Sequence, residues 1–170
     1  MRGKNLMQIN LIYHDEDVLN GYLNIHPWTF EETEEPNVKI GNLLNLGTLV
    51  DDSEATEIIA NKVIDYLSPA EIRPAMEEWI KKLRHGGKIT IIGTDLYLVT
   101  KSILSFKLTS GEANEYLFGD QKEEYLIKRV ALNCEGVANY LKEIDKDLEI
   151  EEKYHLPQNY QYVVTARRRP

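Results

Sequence analysis

Apolar residues fall along this chain in short runs whose period switches between two and three to four. Residues 7–13 (MQINLIY) form a run of the length a buried strand takes. A largely polar stretch, 14–20, follows, and Gly21 opens a second strand over 21–25 (GYLNI). That gap is shorter than the dozen or more residues of a helical crossover. Either the first helix has shrunk to a turn or the two strands form a hairpin. An acidic loop over 31–37, with Pro36 in it, leads to a third strand over 38–43.

The pattern sharpens from Thr56. Residues 56–61 (TEIIAN) have the β-branched character of a central strand, with Asn61 at its end. Ser68-Pro69-Ala70-Glu71 is a capping box with proline at the first helical position. Ile72, Met76, Trp79, Ile80 and Leu83 then recur at helical spacing. Gly86-Gly87 is expected to stop this helix, and 88–93 (KITIIG) to form the next strand. Residues 95–108 predict a helix through Leu96, Val99, Ile103 and Leu104. Residues 109–128 lack a clean period and are expected to form a long loop or a mobile flap. Asn133 is placed to cap a helix ending at Ile144, with Val137, Tyr140, Leu141 and Ile144 on one face. Two strands, 148–156 and 161–166, close the chain as a hairpin.

Alternating strands and helices predict one α/β domain over residues 1–170: a three-layer, Rossmann-like, mostly parallel sheet with an antiparallel C-terminal hairpin. Ligands in such sheets gather beyond the carboxyl ends of the strands, at the switch point. The loops after Tyr13, Ile25, Leu43, Asn61 and Gly93 are therefore the places to look.

Composition narrows the classes. A net charge of −8 weighs against a protein that grips phosphate backbones, and the basic run 167–169 is expected to be a solvated tail. No run of eighteen apolar residues is present, and residues 1–8 lack an apolar signal core, so a cytoplasmic location is expected. Cys134 is the single cysteine; an internal disulfide and a thiolate metal cluster are both excluded. Gly-x-Ser-x-Gly, Walker and HExxH motifs are missing, which removes the main support for hydrolase, triphosphatase and zinc-protease readings.

The order of segments resembles the class I S-adenosylmethionine-dependent methyltransferases, in particular a small phage- and bacteria-associated branch of type 11-like enzymes. The branch's LNLGCG and GYINVD strands are matched by Ile9-Asn10-Leu11-Ile12-Tyr13-His14 and Gly21-Tyr22-Leu23-Asn24-Ile25-His26. Its acidic stretch after the third strand falls on Gly41-Asn42-Leu43-Leu44, and its HVLEHL signature on Lys62-Val63-Ile64-Asp65-Tyr66-Leu67. The LKPGG joint is matched by Lys82-Leu83-Arg84-His85-Gly86-Gly87-Lys88-Ile89, a PD pair by Thr94-Asp95, and an LFGGQ flap by Leu117-Phe118-Gly119-Asp120-Gln121.

The resemblance implies S-adenosylmethionine as cofactor and a small-molecule or sugar-like methyl acceptor. It also shows departures. Glycine after the first strand lets the backbone pass the methionine part of the cofactor; Ile12, Tyr13 and His14 stand there instead. The acid that holds the ribose hydroxyls is replaced by His26, and the acid at the adenine edge by Asn42. A neutral imidazole accepts one hydrogen bond where a carboxylate holds both hydroxyls. The candidate cofactor contacts are thus Tyr13, His14, His26, Asn42 and Asn61, and the candidate bases Asp95 and His14. The second reading is a pseudo-methyltransferase, a binding or assembly module with a protein partner or a second copy of itself. A third is an enzyme that takes another nucleotide-like ligand.

Single residues carry alternatives. Tyr13 either stacks on an adenine or plugs an empty pocket, and Asp95 either orients a substrate hydroxyl or caps the helix after it. His14 and His26 would bind a metal only with Asp15 or Asp17 as a third ligand. Asp51, Asp52 and Glu54 read as a solvated loop, and His85 and His155 as isolated surface residues. Cys134 has no neighbouring His or Lys in sequence, so no nucleophile is expected there.

Overall fold

The computed structural model describes residues 7–27 and 37–170; most of the acidic loop expected over 31–37 lies outside them. Among the described residues seven strands form one sheet, in the order β3-β2-β1-β4-β5-β7-β6. They are β1 (Met7–Leu11), β2 (Leu23–His26), β3 (Val38–Ile40), β4 (Ala55–Asn61), β5 (Leu83–Thr94), β6 (Leu148–Leu156) and β7 (Gln161–Arg168). All neighbours pair in parallel except β7, which runs antiparallel to both β5 and β6. The reversed strand lies inside the sheet, and β6 forms the edge.

The connection from β1 to β2 is a crossover, since the strands pair in parallel with Ile9 opposite Leu23. Its helix has shrunk to one 3-10 turn, Asp15–Asp17. Two fully buried asparagines hold this short crossover in place. The Asn10 amide donates to Asn24 Oδ1 and to the Asp17 carbonyl, both at 2.8 Å. Asn24 in turn accepts from Leu19 N and donates to the carbonyls of Leu19 and Tyr22.

Helix α1 (Pro69–Lys82) starts at the expected capping box, with Ser68 N donating to the Glu71 carboxylate at 2.7 Å. Its apolar stripe carries Ile72, Met76 and the fully buried Trp79, whose indole donates to the Leu43 carbonyl. The helix does not run on to Gly86-Gly87. It stops at Lys82, and the buried Leu83 already pairs with Ala55 of β4. The two glycines instead form a bulge between that pair and the Glu57–Lys88 pair. Gly86 sits at φ +76, and a Cβ on Gly87 would lie 3.1 Å from the Ala55 carbonyl.

Helix α2 (Leu96–Leu104) follows β5, and α4 (Cys134–Ile144) begins at its Asn133 cap. Between them the expected loop is a helix, α3 (Ser110–Phe118), opened by a Thr109–Glu112 capping box. Only Ala113 of α3 is buried, so the helix shows no apolar stripe. Of the basic run, Arg167 binds Glu151 and the Gly86 carbonyl, Arg168 the Leu83 carbonyl, and Arg169 Glu149, so it pins β7 and does not form a loose tail.

Candidate functional site

The strand order reverses between β1 and β4, which makes the gap beyond their carboxyl ends the ligand position of this architecture. Tyr13, leaving β1, and Tyr66, in the 3-10 turn after β4, stack there with ring centroids 4.0 Å apart and planes 2° from parallel. His14 Nε2 shares a 2.7 Å hydrogen bond with the Tyr66 hydroxyl. Lys62, held at φ +62 directly after β4, reaches across to Asp17 at 2.6 Å. Three contacts of different kinds therefore tie the loop after β1 to the loop after β4. Burial, reinforced by the charge of Asp65, pushes the Tyr66 phenol above its ordinary range.

Of the other expected contacts, His26 ends β2 and is buried, and desolvation lowers its pKa below the usual imidazole value. The Asn42 side chain turns back on its own loop and accepts from Leu44 N. Asn61 ends β4, half-buried. His14, His26, Asp15 and Asp17 do not converge on an ion: His14 is turned to Tyr66 and Asp17 to Lys62. Asp52 of the acidic loop is bound to Lys81 and to the buried Lys82, so it anchors the end of α1.

A second polar group is built on the neighbour of Tyr66 in the same turn. Asp65 is buried, and its carboxylate accepts from Thr94 N and, at 2.6 Å, from Thr94 Oγ1. Lys128 reaches the same pair, 2.9 Å from Thr94 Oγ1 and 3.4 Å from Asp65 Oδ2. Desolvation raises the Asp65 pKa against the opposing pull of Lys128 and Thr94. This network joins the turn after β4, the end of β5 and the segment before α4.

Across the sheet, beyond the ends of β5 and β6, a third group assembles. Asp95 is fully buried and caps α2, with Oδ1 accepting from Tyr97 N and Leu98 N. Its other oxygen, Oδ2, meets Nδ1 of His155. Cys134 Sγ lies 3.8 Å from the same nitrogen and donates to the Tyr154 carbonyl at 3.3 Å. Burial, with the Asp95 charge behind it, pushes the Cys134 thiol up. His155 is therefore not isolated, contrary to the sequence reading, and Cys134, with no base beside it in sequence, meets one through the fold. A cavity of about 210 Å³, lined by Tyr97, Asn133, Cys134, Glu135 and His155, opens beside them.

No protein-family model and no curated protein matches the sequence. Solved structures match it along nearly its whole length. A SAM-dependent methyltransferase from Archaeoglobus fulgidus aligns with 97% of this chain and 87% of its own, at TM-score 0.56 and 13% identity. The 1,6-didemethyltoxoflavin-N1-methyltransferase of Burkholderia thailandensis, solved with bound 1,6-didemethyltoxoflavin and S-adenosylhomocysteine, aligns with 97% of this chain and 72% of its own, at TM-score 0.58 and 11% identity. A chain of the Haloferax volcanii complex between the Trm112 methyltransferase activator and a methyltransferase aligns with 98% of this chain and 85% of its own, at TM-score 0.62 and 9% identity. The fold is the Rossmann-like fold of the class I methyltransferases.

Proposed function

We propose that this chain is a methyltransferase-fold protein that works as a binding or assembly module and does not turn over S-adenosylmethionine. The observation that carries the reading is the Tyr13–Tyr66 stack at the switch point. The cofactor's methionine part would run along the backbone after β1, where close approach calls for glycine. Here a buried tyrosine stands in that loop, and the His14–Tyr66 and Lys62–Asp17 contacts tie the loop to the one after β4.

The surface supports a protein partner. Helix α2 and the turn after it present Leu96, Tyr97, Ile103, Leu104 and Phe106 to solvent. Phe106 is 96% exposed at a φ of +57, a conformation bulky residues rarely adopt. Large apolar side chains gathered in exposed positions on one short stretch support an interaction surface there. Among the described residues no helix is long and apolar enough to cross a membrane.

A second reading, catalysis with S-adenosylmethionine on a small-molecule or sugar-like acceptor, draws on the fold likeness to enzymes that use this cofactor. Methyl transfer chiefly requires alignment of acceptor, methyl and sulfur, so the enzyme reading stands or falls on cofactor binding. Calorimetric titration with S-adenosylmethionine and S-adenosylhomocysteine separates the two. The module reading expects no heat and no thermal stabilisation at millimolar ligand. Micromolar binding of either compound overturns it and establishes Tyr13, His14, His26, Asn42 and Asn61 as the contacts to mutate first.

A further inference from the structure

Asp95, Cys134 and His155 come from three separate places in the chain: the end of β5, the first turn of α4 and the end of β6. Their ligand atoms, Asp95 Oδ2, Cys134 Sγ and His155 Nδ1, all lie within 4.8 Å of one another. A Cys–His–Asp arrangement suggests two chemistries, and the ring nitrogens distinguish them. A nucleophilic triad places the carboxylate on one imidazole nitrogen and the thiol on the other. Here both face Nδ1. Three donor atoms this close together are within reach of one shared ion.

We propose that Asp95, Cys134 and His155 form a mononuclear zinc site. Thiolate, imidazole and carboxylate together are the donor set that this borderline-soft cation takes, and three protein ligands leave its fourth position open. The cavity beside Cys134 and His155 supplies that position with room for water or a small anionic ligand. The ligands are held from behind: Asp95 Oδ1 is fixed by two backbone N–H groups of α2, which orients Oδ2. Charge balances as well, because a thiolate and a carboxylate with a neutral imidazole offset the two positive charges of the ion. Binding costs the weak Sγ–Tyr154 hydrogen bond and releases the thiol proton.

Cobalt(II) titration of the metal-stripped full chain tests this directly. Cys134 is the only thiol, so any thiolate-to-cobalt charge-transfer band reports this site alone. We expect the band to saturate at one equivalent, to vanish on addition of zinc, and to be lost in Cys134→Ala. His155→Ala, which changes a half-exposed side chain and should leave the far-ultraviolet circular dichroism intact, is expected to weaken cobalt binding at least tenfold. Zinc is further expected to slow alkylation of Cys134 in the unmodified chain. A folded chain that shows no band, or a Cys134 alkylation rate indifferent to zinc, overturns the site. So does a His155→Ala variant that binds cobalt as tightly as the parent.

Discussion

Asn10 and Asn24 stand opposite each other on β1 and β2, fully buried, with the amide of one bound to the side-chain carbonyl of the other at 2.8 Å. Two amides do here what a crossover helix does elsewhere: they satisfy the backbone of the connecting segment. Asn24 serves both Leu19 N and Leu19 O. Asn24→Leu leaves Leu19 N without its partner and the Asn10 amide with the Asp17 carbonyl alone, and lost partners of this kind cost about 1–3 kcal/mol each. We expect a loss of about 3 kcal/mol in urea unfolding. A loss below about 1 kcal/mol would show that the crossover is held by something else.

The tyrosine stack separates into its parts by mutation. Tyr66→Phe keeps the ring against Tyr13 and removes only the bond to His14, which predicts a loss of about 1 kcal/mol. Tyr13→Ala empties the buried bend, with an expected loss of about 3 kcal/mol, as for other large-to-small changes. Thermal or urea denaturation reads both. Equal losses would mean that the hydroxyl and not the stacking closes the loop.

Gly93 faces Tyr162 across the β5–β7 pair. A Cβ there would fall inside the Tyr162 hydroxyl, 2.8 Å from its Cζ and 2.9 Å from Asp65 Oδ1. Gly93→Ala is expected to destabilise by about 1–3 kcal/mol through overpacking. Adding Tyr162→Phe removes the closest atom but leaves the other two, so a double-mutant cycle should return part of the loss. Strictly additive losses would contradict the steric account.

His26 gives the chain a pH-dependent component. Its pKa in the fold is depressed by burial below the 6.5 of the free side chain, so the folded state prefers it neutral. The stability this contributes is present above that value and is lost as pH falls through the folded pKa. Denaturation midpoints should therefore drop between neutral pH and about pH 5, the histidine range. His26→Gln should drop less over the same interval. A variant that tracks the parent would place the titration elsewhere.

Elements with a buried stripe and a cap were legible from the residues. The Ser68–Glu71 box and the Trp79 face define α1, and β4 and β5 flank it. Helix α3 escaped because hydrophobic periodicity reads burial, and α3 buries one alanine. Its Thr109–Glu112 box was the available signal. Gly86-Gly87 looked like a helix stop because glycine suits a C-cap as well as it suits a bulge; Leu83, drawn into the sheet, decided between them. The loop after β1 was legible as a departure, though not the partner that fills it, since Tyr66 lies 53 positions away and meets Tyr13 only through the sheet order. The Asp95–Cys134–His155 group was invisible for the same reason: the fold alone brings β5, α4 and β6 to one corner.

Strand β7 follows β6 in sequence, yet it lies between β5 and β6. During synthesis the sheet therefore exists with a gap in its middle. Both β5 and β6 expose open hydrogen-bonding edges until residues 161–168 leave the ribosome and slot between them. The edges stay open from the time β6 forms until β7 arrives, and Arg167, Arg168 and Arg169, pairing with Glu151, Asp145 and Glu149, act as the latch that closes them.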